Sequence, residues 1–285
     1  MKRLSLILFV TIALTFSNSF AQSSLELGKP MFAQSDQAKI AYWTLGEGEP
    51  ILLVHGFLGR ARNWSTYLEP LLEKHQVILV ELRGHGFSTN EKAYYSNKDA
   101  GGDLLAVLNE IGASSVDAVG FSAGSAALLN LALLQPTKLK SLAIIGGYAE
   151  NGENARNVFR SFHPDSIDQT MMKNITADHE QGEQQTRALL GYLQDFAEDK
   201  ESIFTQEQLV SISTPTLVIS GDRDVVIPLE QALQLNSAIP NSYLMIFPNT
   251  GHSKGPADFI GQEYLISTLL GFFSESWKCP AFCDN

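Results

Sequence analysis

The run Val116-Asp117-Ala118-Val119-Gly120-Phe121-Ser122-Ala123-Gly124-Ser125-Ala126-Ala127-Leu128-Leu129 decides how this chain is read. An apolar, strand-like segment passes through a serine set between two glycines into a small-residue, helix-favouring segment, which is the nucleophile-elbow arrangement. Geometry dictates the residue types. A serine that exposes its hydroxyl at such a junction sits on a strained turn, and side chains two positions to either side would collide with neighbouring backbone. Glycine at 120 and 124 removes that collision. A helix starting here also aims its free N–H groups and positive end at the place where negative charge develops during acyl transfer.

The rest of the chain has the rhythm that such a turn requires. Strand-like runs bounded by Gly, Pro or polar residues occur at 39–44, 51–54, 77–82, 116–121, 141–146, 216–220 and 243–247. Helical patterns fall at 64–73, 97–111, 123–134, 229–237 and 258–273. Several of the strand runs are continuously apolar, as in a sheet buried on both faces, and the alternation predicts an α/β fold with a mostly parallel central sheet flanked by helices. No helical pattern separates 39–44 from 51–54, which leaves the N-terminal edge open to antiparallel pairing.

Residues 150–212 break the rhythm. They contain no strand-like run but several weakly amphipathic helical stretches, such as 184–196. Twelve acidic and five basic residues give the segment a net charge of −7. Phe159, Phe162, Ile167, Leu189, Leu190, Tyr192, Leu193 and Phe196 give it apolar surface to bury, so a helical cap is expected over a core made of 22–149 and 213–285.

Composition bounds the class. A chain of 285 residues, 44% hydrophobic and 18% charged, suits one large globular domain or a domain with an insertion. Lys2 and Arg3 precede the apolar segment 4–16, and Ser19-Phe20-Ala21 is a small-x-small cleavage pattern, so residues 1–21 read as a signal peptide and Gln22 as the mature N-terminus. The expected location is a periplasm or the outside. Thirteen residues fall short of the roughly 20 that a spanning helix needs, so no stable membrane anchor is expected. Losing Lys2 and Arg3 takes the net charge from −11 to −13. With no basic run left, nucleic acid is excluded as an expected partner. Cys279 and Cys283 form a C-x-x-x-C pair able to close a local disulfide in an oxidising compartment. No histidine stands nearby to complete a ligand set, and neither a metal nor another cofactor is expected.

A serine hydroxyl is a weak nucleophile that needs a base to take its proton and a carboxylate to orient that base. The run 216–220 ends in Gly221-Asp222-Arg223-Asp224, placing acids just past a strand end, where doubly wound sheets keep their sites. The run 243–247 is followed by Pro248-Asn249-Thr250-Gly251-His252. Serine, then aspartate, then histidine is the chain order of nucleophile-elbow enzymes.

At this point the chain resembles the α/β-hydrolase fold family from about residue 30 to 274. The resemblance rests on His55-Gly56-Phe57, on Arg83-Gly84-His85-Gly86-Phe87-Ser88, on Gly120 to Gly124, and on the paired loops ending in Asp224 and His252. It implies Ser122 as nucleophile and His252 as general base. Asp224 is the orienting acid, because the family places it three residues after the strand-end glycine. The oxyanion hole would be the backbone N–H groups of Phe57 and Ala123. Asp222 is then expected to cap its turn, while His55, His85 and Arg83 brace loops. His75, His163 and His179 carry no motif and are expected in solvent. Glu81 stands where the family often has aspartate, and Ser125 where a second glycine is frequent; neither is expected to touch the triad.

The resemblance implies acyl transfer, with hydrolysis of a carboxylic ester first. Serine at 122 argues against the fold's dehalogenases and epoxide hydrolases, which use aspartate there. It leaves lactone, thioester, carbon–carbon and perhydrolase or haloperoxidase-like chemistry within reach of the same triad. The acidity of 150–212 disfavours coenzyme A and phosphorylated substrates, so a small or medium neutral ester is expected. A ligand-binding protein on a hydrolase fold is the reading from another class, and the intact triad and glycines speak against it.

Overall fold

The computed structural model describes residues 27–92, 94–198, 204–252, 262–274 and 277. The expected signal peptide, Cys279 and Cys283 lie outside these residues. Eight strands form one sheet: β1 (Met31–Ser35), β2 (Ala38–Leu45), β3 (Glu49–Val54), β4 (His75–Val80), β5 (Val116–Phe121), β6 (Leu139–Ile145), β7 (Thr216–Gly221) and β8 (Ser242–Phe247). Their order is β1-β2-β4-β3-β5-β6-β7-β8. β2 runs antiparallel to both neighbours, and every other pairing apart from β1–β2 and β2–β4 is parallel. The chain is thus a mostly parallel α/β sheet with a reversed strand near its N-terminal edge. β1 was not foreseen in the sequence. Of its five residues only Ala33 is buried, its apolar stretch Met31-Phe32-Ala33 is short, and the strand is held by the tight turn at Asp36-Gln37 and by pairing with β2.

Period-two alternation along the strands divides the core into two halves. Leu52, Val54, Ile78, Val80, Ala118, Leu142, Ile144 and Val218 face one side, where α2 (Asn97–Glu110), α3 (Ala123–Leu134) and α8 (Leu229–Ala238) cover them. Ile51, Leu53, Val77, Leu79, Val119, Ile145 and Ile219 face the other, under α1 (Ser65–Leu72) and α9 (Gln262–Phe273). Each fully buried aliphatic side chain contributes about 1.5–3 kcal/mol, which explains why both faces of the central strands are apolar. α2 starts where Ser96 accepts the Asp99 N–H at 3.0 Å, an N-cap.

Between β6 and β7 the chain leaves the sheet as α4 (Glu153–Ser161), α5 (Gln169–Thr176), α6 (Glu183–Glu198) and α7 (Gln206–Val210). α6 buries Leu189, Leu190, Leu193 and Phe196 against the α2–α3 half of the core. The roots of the excursion are fastened by Gln231, whose Oε1 accepts the N–H groups of Ala149 and Glu150, and by Phe204 N–H donating to Ala149 O at 2.8 Å.

The loop after β4 is tied to α2 by a buried ion pair. Arg83 donates through Nε and Nη2 to the two carboxylate oxygens of Asp103 at 2.7 and 2.6 Å, with both side chains at most 2% exposed. Burial opposes both charges; the bidentate bond to Asp103 keeps Arg83 protonated. Arg83 therefore braces, as the sequence suggested. Breaking a buried pair strands the remaining charge, so Arg83→Leu is expected to destabilise the protein by about 3–5 kcal/mol in urea unfolding.

Candidate active site

The loops at the C-terminal ends of β3, β7 and β8 come together at Ser122. This residue follows β5 and precedes α3 with φ 50° and ψ −114°, a left-handed conformation that a non-glycine residue rarely adopts. A Cβ at Gly120 would lie 2.6 Å from the backbone of Gly124, and one at Gly124 would lie 2.4 Å from Val54 O. Both positions are therefore closed to any side chain. The turn is pinned by Ser122 N–H donating to Ile145 O at 2.8 Å. Ser125, where a further glycine was the family's usual choice, is fully buried and donates to Gly120 O at 2.7 Å, so it tightens the helix against the strand.

His252 Nε2 stands 3.2 Å from Ser122 Oγ, and its Nδ1 stands 2.7 Å from Asp224 Oδ2. The other Asp224 oxygen accepts the N–H groups of Val226 and Ile227 at 2.9 and 2.7 Å, which fixes the carboxylate behind the imidazole. The Asp224 side chain is 3% exposed and that of His252 13%. Phe121 packs its ring at 5.1 Å from the imidazole. Asp222, expected to cap its own turn, instead accepts the Thr250 N–H at 3.3 Å across on the histidine loop, while Arg223 N–H donates to Thr250 O at 2.9 Å. These bonds lace the aspartate and histidine loops into one unit.

The loop 55–60 lies directly against the serine, since a Cβ at Gly56 would stand 3.3 Å from the Ser122 Cβ. This puts Phe57 beside the turn. At Ala123 the helix begins, and the first N–H groups of a helix have no partner within it. Loop 55–60 is braced by imidazoles, as expected of His55 and His85. His55 Nε2 accepts the Leu82 N–H at 3.1 Å, and His85 Nε2 accepts the Leu58 N–H at 3.1 Å. Burial pushes the His55 pKa down to about 4 and that of His85 well below its ordinary value. Both rings stay neutral at pH 7 and keep a lone pair free to accept.

A sequence expectation about the histidines is corrected here. His179 is not in solvent: it is 4% exposed, packs edge-on to His85 at 5.8 Å, and accepts the Gly86 N–H through Nδ1 at 3.0 Å. Burial pushes its pKa down to about 4, which suits that acceptor role. His75 is half-buried, whereas His163 is exposed as anticipated. Glu81, standing where the family often has aspartate, holds neighbouring backbone. Its buried carboxylate accepts the N–H groups of Phe87 and Ala61.

The helical excursion meets the site at one corner. Glu180 N–H and Gln185 Nε2 both donate to Gly86 O, at 3.2 and 3.0 Å, Gln185 also reaches Gly84 O at 2.8 Å, and Asp178 pairs with Arg60 at 2.7 Å. Sequence reading missed these contacts because they join residues about a hundred positions apart with no local pattern. Phe57, Tyr95 and Phe196 form an edge-to-face cluster with centroids 5.0 to 5.5 Å apart, which joins α6 to the loop after β3.

Comparison with known proteins places this geometry. Residues 49–209 match the family model described as the alpha/beta hydrolase fold. The chain is 26% identical to the dihydrolipoyllysine-residue acetyltransferase component of the acetoin cleaving system of Cupriavidus necator, over 78% of this chain and 63% of that protein. It is thus similar to a protein of which it spans less than two thirds. It is also 26% identical to 2-hydroxy-6-oxononadienedioate/2-hydroxy-6-oxononatrienedioate hydrolase 2 of Pseudomonas putida, over 75% of this chain and 85% of that one. Among solved structures, an alpha/beta hydrolase enzyme from a Medee basin deep-sea metagenome library superposes with a TM-score of 0.72 at 18% identity, covering 88% of this chain and all of that one.

The elbow offers a direct test of the local packing. Gly124→Ala forces a methyl into the carbonyls that end β3, and is expected to cost about 3 kcal/mol or more in denaturant unfolding.

Proposed function

Because the chain belongs to the alpha/beta hydrolase family, we propose that it is a serine hydrolase that cleaves a carboxylic ester of a small or medium neutral substrate. The observation that carries this reading is the continuous chain from Ser122 Oγ through His252 to Asp224. Ser122 Oγ attacks the ester carbonyl while its proton passes to His252 Nε2. The resulting oxyanion accepts the N–H groups of Phe57 and Ala123. The intermediate collapses, the alkoxide leaves with the proton from His252, and an acyl-serine remains. Water, deprotonated by the same imidazole, releases the acid and restores the serine. Asp224 keeps the Nδ1 proton in place and balances the imidazolium as it forms. The positive end of α3 adds a fixed dipole where the oxyanion grows.

The helices α4–α7 supply the cap of this reading. Phe196 on α6 packs edge-on to Phe57 and Tyr95, so the cap meets the loop expected to supply an oxyanion donor through aromatic contacts, which favours an apolar acyl or alcohol group. A second reaction deserves a place beside ester cleavage. The likeness to the Pseudomonas putida hydrolase favours hydrolysis of a carbon–carbon bond next to a ketone, for which the same serine, base and oxyanion donors suffice.

Export is part of the proposal and rests on residues 1–21. The protein recovered from a periplasm or culture medium is expected to begin at Gln22 on N-terminal sequencing; one that retains Met1 would refute the leader.

A panel of p-nitrophenyl esters of increasing acyl length, run beside a 2-hydroxy-6-oxo-dienoate, tests the chemistry. Ester turnover is expected to exceed cleavage of the dienoate. Ser122→Ala should lower kcat by on the order of 10⁶ and Asp224→Asn by on the order of 10⁴, without loss of fold. An intact wild-type protein that neither turns over these substrates nor is labelled at Ser122 by a fluorophosphonate would move the ligand-binding reading to the front.

A further inference from the structure

We infer that Glu81 is a positioning residue whose ionised carboxylate holds the loop bearing Phe57 in its working geometry, so that full turnover requires Glu81 in its ionised form. The inference rests on the hydrolase reading above and extends it to a residue outside the triad.

The geometry is one of a fixed arm holding a loop. Glu81 follows β4, and its own backbone is locked: the N–H donates to Ala41 O on β2 at 3.0 Å, and the carbonyl accepts Ser88 Oγ at 2.7 Å. From that base the side chain, 3% exposed, reaches two segments. Oε2 accepts the Phe87 N–H at 2.7 Å, and Oε1 accepts the Ala61 N–H at 3.3 Å. Ala61 opens the short helical turn Ala61–Trp64 that ends the 55–60 loop. A Cβ at residue 86 would fall 2.1 Å from the carboxylate, so the group has no slack on that side. His85 fixes Leu58 in the same loop, which makes Glu81 and His85 the two side chains from the β4 loop that set its path.

Among the described residues no cation pairs with this carboxylate. The charged groups around it are Arg60 and Arg62 from the 55–64 segment, Asp178 and Glu180 from the helical excursion, and the neutral rings of His85 and His179. They surround a cavity of about 90 Å³ into which Glu81 opens. Arg60, the nearest counter-charge, is already paired with Asp178 at 2.7 Å. Burial therefore dominates and pushes the Glu81 carboxyl up to about 7, the bonds from Phe87 and Ala61 and the field of Arg60 offsetting only part of it. Protonation turns one oxygen into a hydroxyl, a poorer acceptor, and the longer bond to Ala61 is the first to yield.

The stability linkage runs opposite to that of a salt-bridged acid. Between the ordinary carboxyl value and about 7 the unfolded chain has released its proton while the folded chain retains it, so stability falls as pH rises through that window. The ionised form thus orders the loop at the expense of the fold. Glu81→Gln should be the more heat-stable protein above pH 7, and that advantage should shrink towards pH 5.

The test uses the mature protein, Glu81→Gln and Glu81→Asp, with the pH dependence of kcat/KM on p-nitrophenyl acetate and an NMR titration of backbone amides. The acid limb of the wild type is expected to fall with the slope of two protons, and that of Glu81→Gln with the slope of one. In Glu81→Gln, kcat should drop on the order of 100-fold or more with KM nearly unchanged, the split expected when oxyanion stabilisation is impaired. Glu81→Asp should restore the two-proton slope. The Ala61 and Phe87 amides should titrate together near pH 7 in the wild type and stay flat in Glu81→Gln. A one-proton limb in the wild type, or flat amides there, overturns the role of Glu81. Absence of turnover with amides that titrate overturns the hydrolase reading, and with it only the catalytic half of this inference.

Discussion

The contact on which the rest depends is the one between the first turn of α3 and the last carbonyls of β3. Gly124 rests so close to Val54 O and His55 O that a methyl group would not fit. That closeness lets β5 reverse sharply into α3 and lift Ser122 clear of the sheet. It also requires β3 to lie beside β5, and this neighbour relation dictates the crossover that sends β4 to the far side of β3. The loop leaving β3 is then necessarily the one that lies against the serine. A single steric limit thus sets the strand order at the centre of the sheet and the identity of the loop that meets the reacting carbonyl.

Around that centre the protein uses charge sparingly. His55, His85 and His179 are buried and neutral, each giving an imidazole lone pair to a backbone N–H that would otherwise be orphaned. A protonated ring could not accept, so the low pKa values are part of the bracing. The full charges kept in the interior are paired, as in Arg83 with Asp103, or held by backbone N–H groups, as in Asp224. Glu81 belongs to the second kind, its carboxylate accepting two backbone N–H groups.

Much of this was legible in the chain because the information is local. Seven strands announced themselves as apolar runs, since strands covered on both faces have little room for polar residues. Gly120, Ser122 and Gly124 were legible because a sterically closed turn tolerates few alternatives. Asp224 and His252 stood out because each follows a strand end by a fixed short distance. The remainder was silent for physical reasons. β1 is an edge strand with little burial, so hydrophobicity leaves only a short mark on it. The clasp between Gly86 and residues 179–185 joins backbone groups to side chains across a gap in sequence, and a backbone acceptor carries no residue identity. Glu81 was visible only as a departure from a family habit; its surroundings, which give it meaning, come from three separate segments.

The excursion of α4–α7 departs from the end of β6 and returns to the start of β7, and these two strands are immediate neighbours in the sheet. The two strands run parallel, with Leu142 beside Thr216 and Ile145 beside Ile219, so the chain leaves at the C-terminal end of β6 and must cross back along the sheet to re-enter at the N-terminal end of β7. On the way it is also tied to Arg60 in the loop after β3, to Gly84 and Gly86 in the loop after β4, and to Gln231 on α8. A substitution in these helices is therefore felt by the loops that frame the serine, and the excursion and its scaffold are bound to vary together.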